Sequence, residues 1–290
     1  MEHGKTIELF LVNGTADSLV TAELSNWSGK ALRIPRGEVA TCTQKEMTQP
    51  GVYFLFCKDD DNNDAVYIGE SENVKDRLIR HMRDYDNEKE KYYWTTAVIF
   101  FGRDLDKAHI RYLEYRLADM ATKSGRYKLL TKSTYGNTVL KPSQIAVLEE
   151  FIDYVKVIIN TLGYKVLEPL REEKVNNNLN KMLYLEAKDV SAKGIVTNEG
   201  FVLLSGAKVK KDLARSCSDS VKKLRVKYQK EGKLVDYVTK EDLLFASSTG
   251  AAGFVQGFSV SGPQAWKNKD GVTLKEIEAR KLTAEESEEE

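Results

Sequence analysis

No apolar run in this chain approaches the roughly 18 residues of a membrane span, so no spanning segment is expected. Cysteine is scarce: Cys42, Cys57 and Cys217 are far apart and odd in number. That argues against a disulfide framework and a cysteine-based zinc site, and suits a reducing cytoplasm. The first residues carry an acid at position 2 and no cleavage site, so a signal peptide is not expected. Net charge is also lacking, because 44 Lys and Arg match 44 Asp and Glu. A zero balance speaks against a uniformly basic nucleic-acid binder.

The charge is unevenly spread, however. From Ser71 to Lys141, 15 Lys and Arg stand against 10 Asp and Glu. From Ser205 to Lys240 the count is 11 against 4, and from Glu276 to Glu290 it is 2 against 7. The two basic segments are either solvated helix faces or contacts for a polyanion. With 290 residues, 30% of them charged and 41% hydrophobic, the chain fits two or three soluble globular domains.

The informative stretch runs from Gly51 to His81. Gly51-Val52-Tyr53 opens one apolar run and Tyr67-Ile68-Gly69 lies in a second. Asp and Asn fill the gap between them, which predicts a hairpin. A helix beginning at Ser71 would carry Val74, Leu78 and Met82 on one face. Arg77 and His81, four apart, would project beside that stripe. Asp84 to Lys91 reads as a charged loop, and Tyr93 to Phe101 as a third strand. A second helix is expected from about Leu105 to Ala121, with Ile110, Leu113, Leu117 and Met120 buried. Glu114 falls inside that apolar stripe, where a carboxylate must be paired, protonated or bound to a metal.

These residues resemble the core of the GIY-YIG nuclease superfamily. Gly51-Val52-Tyr53 stands for the first triplet, Tyr67-Ile68-Gly69 for the second, with Arg77 eight residues after Gly69 and His81 four further on. Thirteen residues separate Tyr53 from Tyr67, a few more than is usual, and the surplus at Lys58 to Asp64 reads as a longer hairpin tip. The resemblance implies a divalent-metal-dependent endonuclease acting on DNA, with one Mg²⁺ or Mn²⁺ held by Glu114. It also implies Arg77 on the scissile phosphate, Tyr53 as general base, His81 orienting Tyr53 or taking its proton, and Tyr67 holding water or a phosphate oxygen. Asn137 sits where the family has a structural Asn that closes the site. RNA is an alternative substrate, and a non-catalytic nucleic-acid-binding module an alternative role. Double-strand cleavage would call for a dimer, but the oligomeric state is left open.

Each residue has a plainer reading. Tyr53 and Tyr67 suit any strand. His81 can be a surface residue, Arg77 can pair with Asp76 or Asp84, Glu114 can serve a salt bridge, and Asn137 can be a turn residue.

The expected architecture is α+β. A three-stranded antiparallel sheet flanked by helices (49–140) follows a β-rich extension (1–48), in which Trp27 is a core or docking residue. A connecting helix (141–170), serving as packing partner or spacer, and a polar linker (171–181) lead to a separate α+β domain (182–278), then an acidic tail (279–290). The second domain, through Gly257 to Val260, Gly262, Trp266, Asp270-Gly271 and Leu274, resembles a small uncharacterised domain often found C-terminal to GIY-YIG nucleases. Trp266 is either core or an exposed stacking platform.

Overall fold

The computed structural model describes residues 3–132, 134, 136, 138–170 and 182–286, and of 281–286 the backbone alone. The chain divides into two compact units, Met1–Pro169 and Leu170–Glu290.

The first unit contains strands β1 (Ile7–Leu11), β2 (Val20–Leu24), β3 (Lys30–Pro35), β4 (Gly51–Lys58) and β5 (Asp64–Ser71). Helix α1 (Val74–Asp86), β6 (Trp94–Phe101), α2 (Lys107–Ser124), β7 (Lys128–Leu129) and α3 (Pro142–Thr161) follow. The strands form one sheet in the order β1-β2-β3-β6-β4-β5-β7. Pairing is antiparallel throughout except between β5 and β7. The expected three strands, β6-β4-β5, lie inside this larger sheet. The N-terminal segment does not pack on that core as a layer; it extends the sheet edge to edge. β3 pairs along β6 from Lys30↔Phe101 to Pro35↔Thr96. Ala31, Leu32 and Ile34 of β3 are wholly buried, so this strand is covered on both faces.

Strand alternation sorts the side chains onto two faces. Val52, Phe54, Phe56, Val66, Ile68, Val98 and Phe100 pack with α2 and α3. Tyr53, Leu55, Ala65, Ala97 and Ile99 pack with α1 on the other side. Pro142 opens α3, and its Leu148, Phe151, Ile152, Val155 and Ile159 join the α2 core. It is therefore a packing partner of the sheet and not a spacer. Trp27 docks on it, 5.0 Å from the Phe151 ring and 5.5 Å from Tyr154.

Local chemistry moves two expected boundaries. Ser71 stays in the β4–β5 ladder opposite Gly51, and the α1 N-cap is Asn73, whose side chain accepts from the Asp76 N–H. At the far end α1 continues to Asp86, so the expected loop starts at Asn87. The hairpin tip is ordered by Asp59, whose carboxylate accepts from the backbone N–H of Asp61 and Asn63.

The second unit holds β8 (Leu183–Ala187), β9 (Val190–Thr197), β10 (Gly200–Leu203), α4 (Asp219–Lys230), β11 (Leu234–Val235), β12 (Val238–Thr239) and β13 (Leu243–Phe245). Helices α5 (Ser248–Gln256), α6 (Gly262–Ala265) and α7 (Leu274–Glu286) complete it. Its four-stranded sheet runs β13-β10-β9-β8, and β11 and β12 form a hairpin. Trp266 is wholly buried, 4.5 Å from the Phe201 ring, and its indole N–H donates to the Ser248 carbonyl at 2.9 Å. It is core and not a platform. Buried Arg225 ties α4 to the end of α5 by donating to the Phe254 carbonyl at 3.0 Å. The segment expected as a tail from 279 is helical to Glu286, where Ala284, Glu285 and Glu286 are strong helix formers. The expected linker at 171–181 lies outside the described residues. Among the described residues no helix is long and apolar enough to cross a membrane.

Because β3 covers β6, a fragment starting at residue 49 would bare a buried strand edge. Such a fragment is expected to aggregate, whereas a fragment spanning 1–169 should run as a folded species on size exclusion and melt cooperatively. A soluble, cooperatively melting 49–169 fragment would contradict this.

Candidate active site

The β4–β5 register places Tyr53 directly opposite Gly69. A Cβ at position 69 would lie 2.5 Å from the Tyr53 hydroxyl and 2.7 Å from a Tyr67 ring carbon. The glycine of the second triplet is therefore required sterically: the two phenols close over bare backbone. The rings of Tyr53 and Tyr67 stack with centroids 6.3 Å apart. Gly51, in the first triplet, is confined in the same way, with Phe100 carbonyl oxygen 2.8 Å from where its Cβ would be.

Capping at Asn73 sets the phase of α1, so that Arg77 and His81, one turn apart, both face the two tyrosines. His81 is wholly buried, with its ring edge-on to Tyr53 at 5.7 Å and to Tyr67 at 5.0 Å. Its Nε2 lies 2.9 Å from the Tyr53 hydroxyl. The surface reading of His81 is excluded. Arg77 lies near enough to both tyrosines to interact electrostatically with their phenol oxygens. Asp76 instead bonds Asn73 at the helix cap. Burial opposes the Arg77 charge, but the two phenol oxygens outweigh that and hold its proton more firmly. Burial pushes the Tyr53 phenol well above its ordinary range, and Tyr67 and Glu114 add to that. Arg77 pulls the other way. Tyr67 is raised chiefly by burial too, again with Arg77 opposing.

Glu114 arrives from α2, on the opposite face of the sheet. It is 5% exposed, and its Oε2 is buried with no hydrogen-bond partner. Burial first, then the charge of Glu70, push its carboxyl up to about 7, while Lys107, Arg77 and Arg111 pull it down. Glu114 in turn raises Tyr53 and Tyr67, so the two faces meet electrostatically. They meet around the edge of β5, where β7 pairs with Ala65 and Val66 and the Thr131 hydroxyl then bonds the N–H and carbonyl of Ile68, with no further strand beside Gly69 among the described residues. On α2, Lys107, Arg111 and Glu114 fall at i, i+4 and i+7, one face of the helix. Lys107 and Arg111 also line a groove of about 600 Å³ with Thr134, Gly136 and Thr138.

An orphaned, buried carboxylate oxygen beside a second carboxylate is a fit site for a divalent cation. Among the described residues no group of three or more His, Cys, Asp or Glu converges. Glu114 would thus be the principal protein ligand, with water and phosphate oxygens completing the hard-oxygen shell.

Sequence reasoning missed three neighbours. Glu70, immediately after the second triplet, is 7% exposed at its side chain and bonds Lys107 at 2.8 Å. Its adjacency to Gly69 was the available signal. Glu90 lies 2.6 Å from His81 Nδ1, and Tyr92 stacks on Tyr67 at 5.8 Å. Both lie in the turn beyond α1, where no periodicity points at the site. Asn137 lies outside the described residues.

The hairpin, the crossing helix and the third strand make a nuclease-type α+β fold. Residues 49–128 match the family model described as the GIY-YIG catalytic domain, so the chain carries a domain of that superfamily. Residues 183–278 match a second model, described as Domain of unknown function (DUF4357). Neither the curated proteins nor the solved structures contain a match to the chain.

Two outcomes follow for stability. The Glu114 carboxyl is held above its ordinary value of 4.5, at about 7. The folded state therefore grips this proton harder than the unfolded chain does, and stability drains away as pH rises from about 4.5 to 7. Glu114→Gln should leave the metal-free protein little changed at pH 4 and stabilise it at pH 8, by on the order of 3 kcal/mol. Urea melts at both pH values would show this; destabilisation at pH 8 would mean that Glu114 is a structural ion-pair partner. Gly69→Ala should lower stability by about 1–3 kcal/mol through overpacking. It should also break the Tyr53–His81 hydrogen bond, read from the His81 ¹⁵N shifts.

Proposed function

We propose that this chain is a divalent-metal-dependent endonuclease that hydrolyses phosphodiester bonds in DNA. The observation that supports it most is the Tyr53 hydroxyl: a buried phenol held between the Arg77 guanidinium and His81 Nε2, within the field of an orphaned carboxylate. A phenol with ordinary acidity near 10 is a poor base at neutral pH. Here burial makes ionisation harder still, so the proton needs a receiver at hand and the phenolate needs a cation.

His81 Nε2 is the receiver at 2.9 Å. Arg77 is the cation, and its planar fork of N–H donors suits a phosphate as well as the phenolate. The Tyr53 phenolate then takes a proton from a water whose oxygen bonds to phosphorus as the 3′ oxygen leaves. Tyr67 holds the water or a phosphate oxygen. A Mg²⁺ or Mn²⁺ ion held by Glu114 would supply Lewis acidity at the leaving oxygen. Lys107 and Arg111 line the adjoining groove and suit the backbone of a strand passing the site. In the second unit the Ser205 to Lys240 segment, with Lys223, Lys227 and Lys230 exposed on α4, offers a further backbone contact. Three free, buried cysteines accord with a reducing cytoplasm.

Supercoiled plasmid with Mg²⁺ tests the reading. The wild type should nick it and EDTA should stop it. Tyr53→Phe, Arg77→Ala and Glu114→Ala should each lose about 10²-fold or more in rate. Retention of DNA binding without any cleavage would favour a non-catalytic binding module, and cleavage of RNA alone would move the substrate class.

A further inference from the structure

We infer that Glu90 is a positioning residue that fixes the tautomer of His81 and draws the Tyr53 proton onto it, an inference that rests on the hydrolytic reading of the site. Glu90 reaches His81 through a backbone hook. Helix α1 ends at Asp86, and Asn87 N–H still donates to the Arg83 carbonyl. Glu88 takes a left-handed conformation, φ 58°. The N–H groups of Lys89 and Glu90 then both donate to the Asp84 carbonyl, at 2.8 and 3.2 Å. The chain is thereby turned back on its own helix, and Glu90 Oε1 comes to 2.6 Å from His81 Nδ1. The hook is made of backbone bonds, so changing the Glu90 side chain leaves it standing.

The proton logic follows from the atoms. A carboxylate can only accept, so His81 Nδ1 carries the hydrogen. In the neutral ring Nε2 then has a bare lone pair, and it faces the Tyr53 hydroxyl. With the opposite tautomer, Nε2–H would meet the phenol as a donor and could not take its proton. When the Tyr53 O–H bond breaks, the Nε2–H bond forms and the electron pair stays on the phenol oxygen beside Arg77. The imidazolium so made lies against Glu90, which is 17% exposed at its side chain and thus shielded from much of the solvent. The plainer role for Glu90 is to tie the loop to the helix. That role would leave tautomer and turnover untouched once the loop is held by its backbone.

The test uses the full chain with Glu90→Ala and Glu90→Gln. The protein has three histidines, so His81 ¹⁵N resonances can be assigned by comparison with His81→Ala. In metal-free wild type the ring should be the Nδ1–H tautomer. In Glu90→Ala the Nε2–H form should grow, while Glu90→Gln, which keeps an acceptor, should hold the tautomer. On supercoiled plasmid, Glu90→Ala should lower the kcat of nicking about 10- to 100-fold with KM near wild type, and Glu90→Gln should fall between. In a His81→Ala background, Glu90→Ala should cost nothing further. An unmoved tautomer, wild-type kcat in Glu90→Ala, or an equal loss in the His81→Ala background would each overturn the assignment. A wild-type chain that cuts no nucleic acid defeats the endonuclease reading instead, and the tautomer comparison still decides the case of Glu90.

Discussion

The site depends on one close approach: the Tyr53 phenol lying over the bare backbone of Gly69. That contact carries the ring into a dry position, and dryness raises both the cost of ionising the phenol and the strength of every charge around it. Arg77 has no carboxylate within ion-pair distance among the described residues; its partners are phenol oxygens. A guanidinium near a buried carboxylate whose Oε2 has no partner is costly to bury. On the proposed reading, a phosphate with a divalent cation would complement both charges.

The same contact explains why residues on opposite faces of a sheet can act together. In a continuous sheet, α1 and α2 would be screened from each other by the strands between them. Here β7 pairs over two residues only, so among the described residues no further strand lies beside β5 at Gly69, and the missing side chain leaves room for the two phenols. Glu114 sees Arg77 and Tyr53 around that edge. A sheet edge is normally a liability; here the Thr131 hydroxyl covers it at Ile68, and the site lies just beyond.

Much of this was legible in the sequence. The two triplets, the spacing to Arg77 and His81, and the carboxylate interrupting the α2 stripe carried the superfamily resemblance, the α+β class and the convergence of Tyr53, Tyr67, Arg77 and His81. What was not legible has physical causes. Period-two alternation identifies β3 as a strand but not which edge it joins, because register is set by partners distant in sequence. Ser71 and Asn73 are both good caps, and the ladder with Gly51 decided between them. Trp266 in a polar stretch left core and platform both open, because its environment comes from Phe201 and α5. Glu90 stood in a charged turn, where one acid among six charges from Asp84 to Lys91 looks like solvated surface. Its role depends on the left-handed turn at Glu88, which no propensity for Glu would suggest.

The placement of β1, β2 and β3 bears on how the open edge can exist at all. A three-stranded sheet has two edges and little area to bury, and leaving both bare would leave the whole assembly marginal. Extending the sheet on the β6 side buries Leu32 and Ile34 completely and gives β6 a partner on both sides. Helix α3 then covers the face that α2 alone could not, with Trp27 locking the extension to it. The stabilising structure is thus concentrated on the side away from Gly69. That asymmetry leaves the Gly69 end of β5 without a further strand among the described residues, while the sheet that carries it is braced from the β6 side.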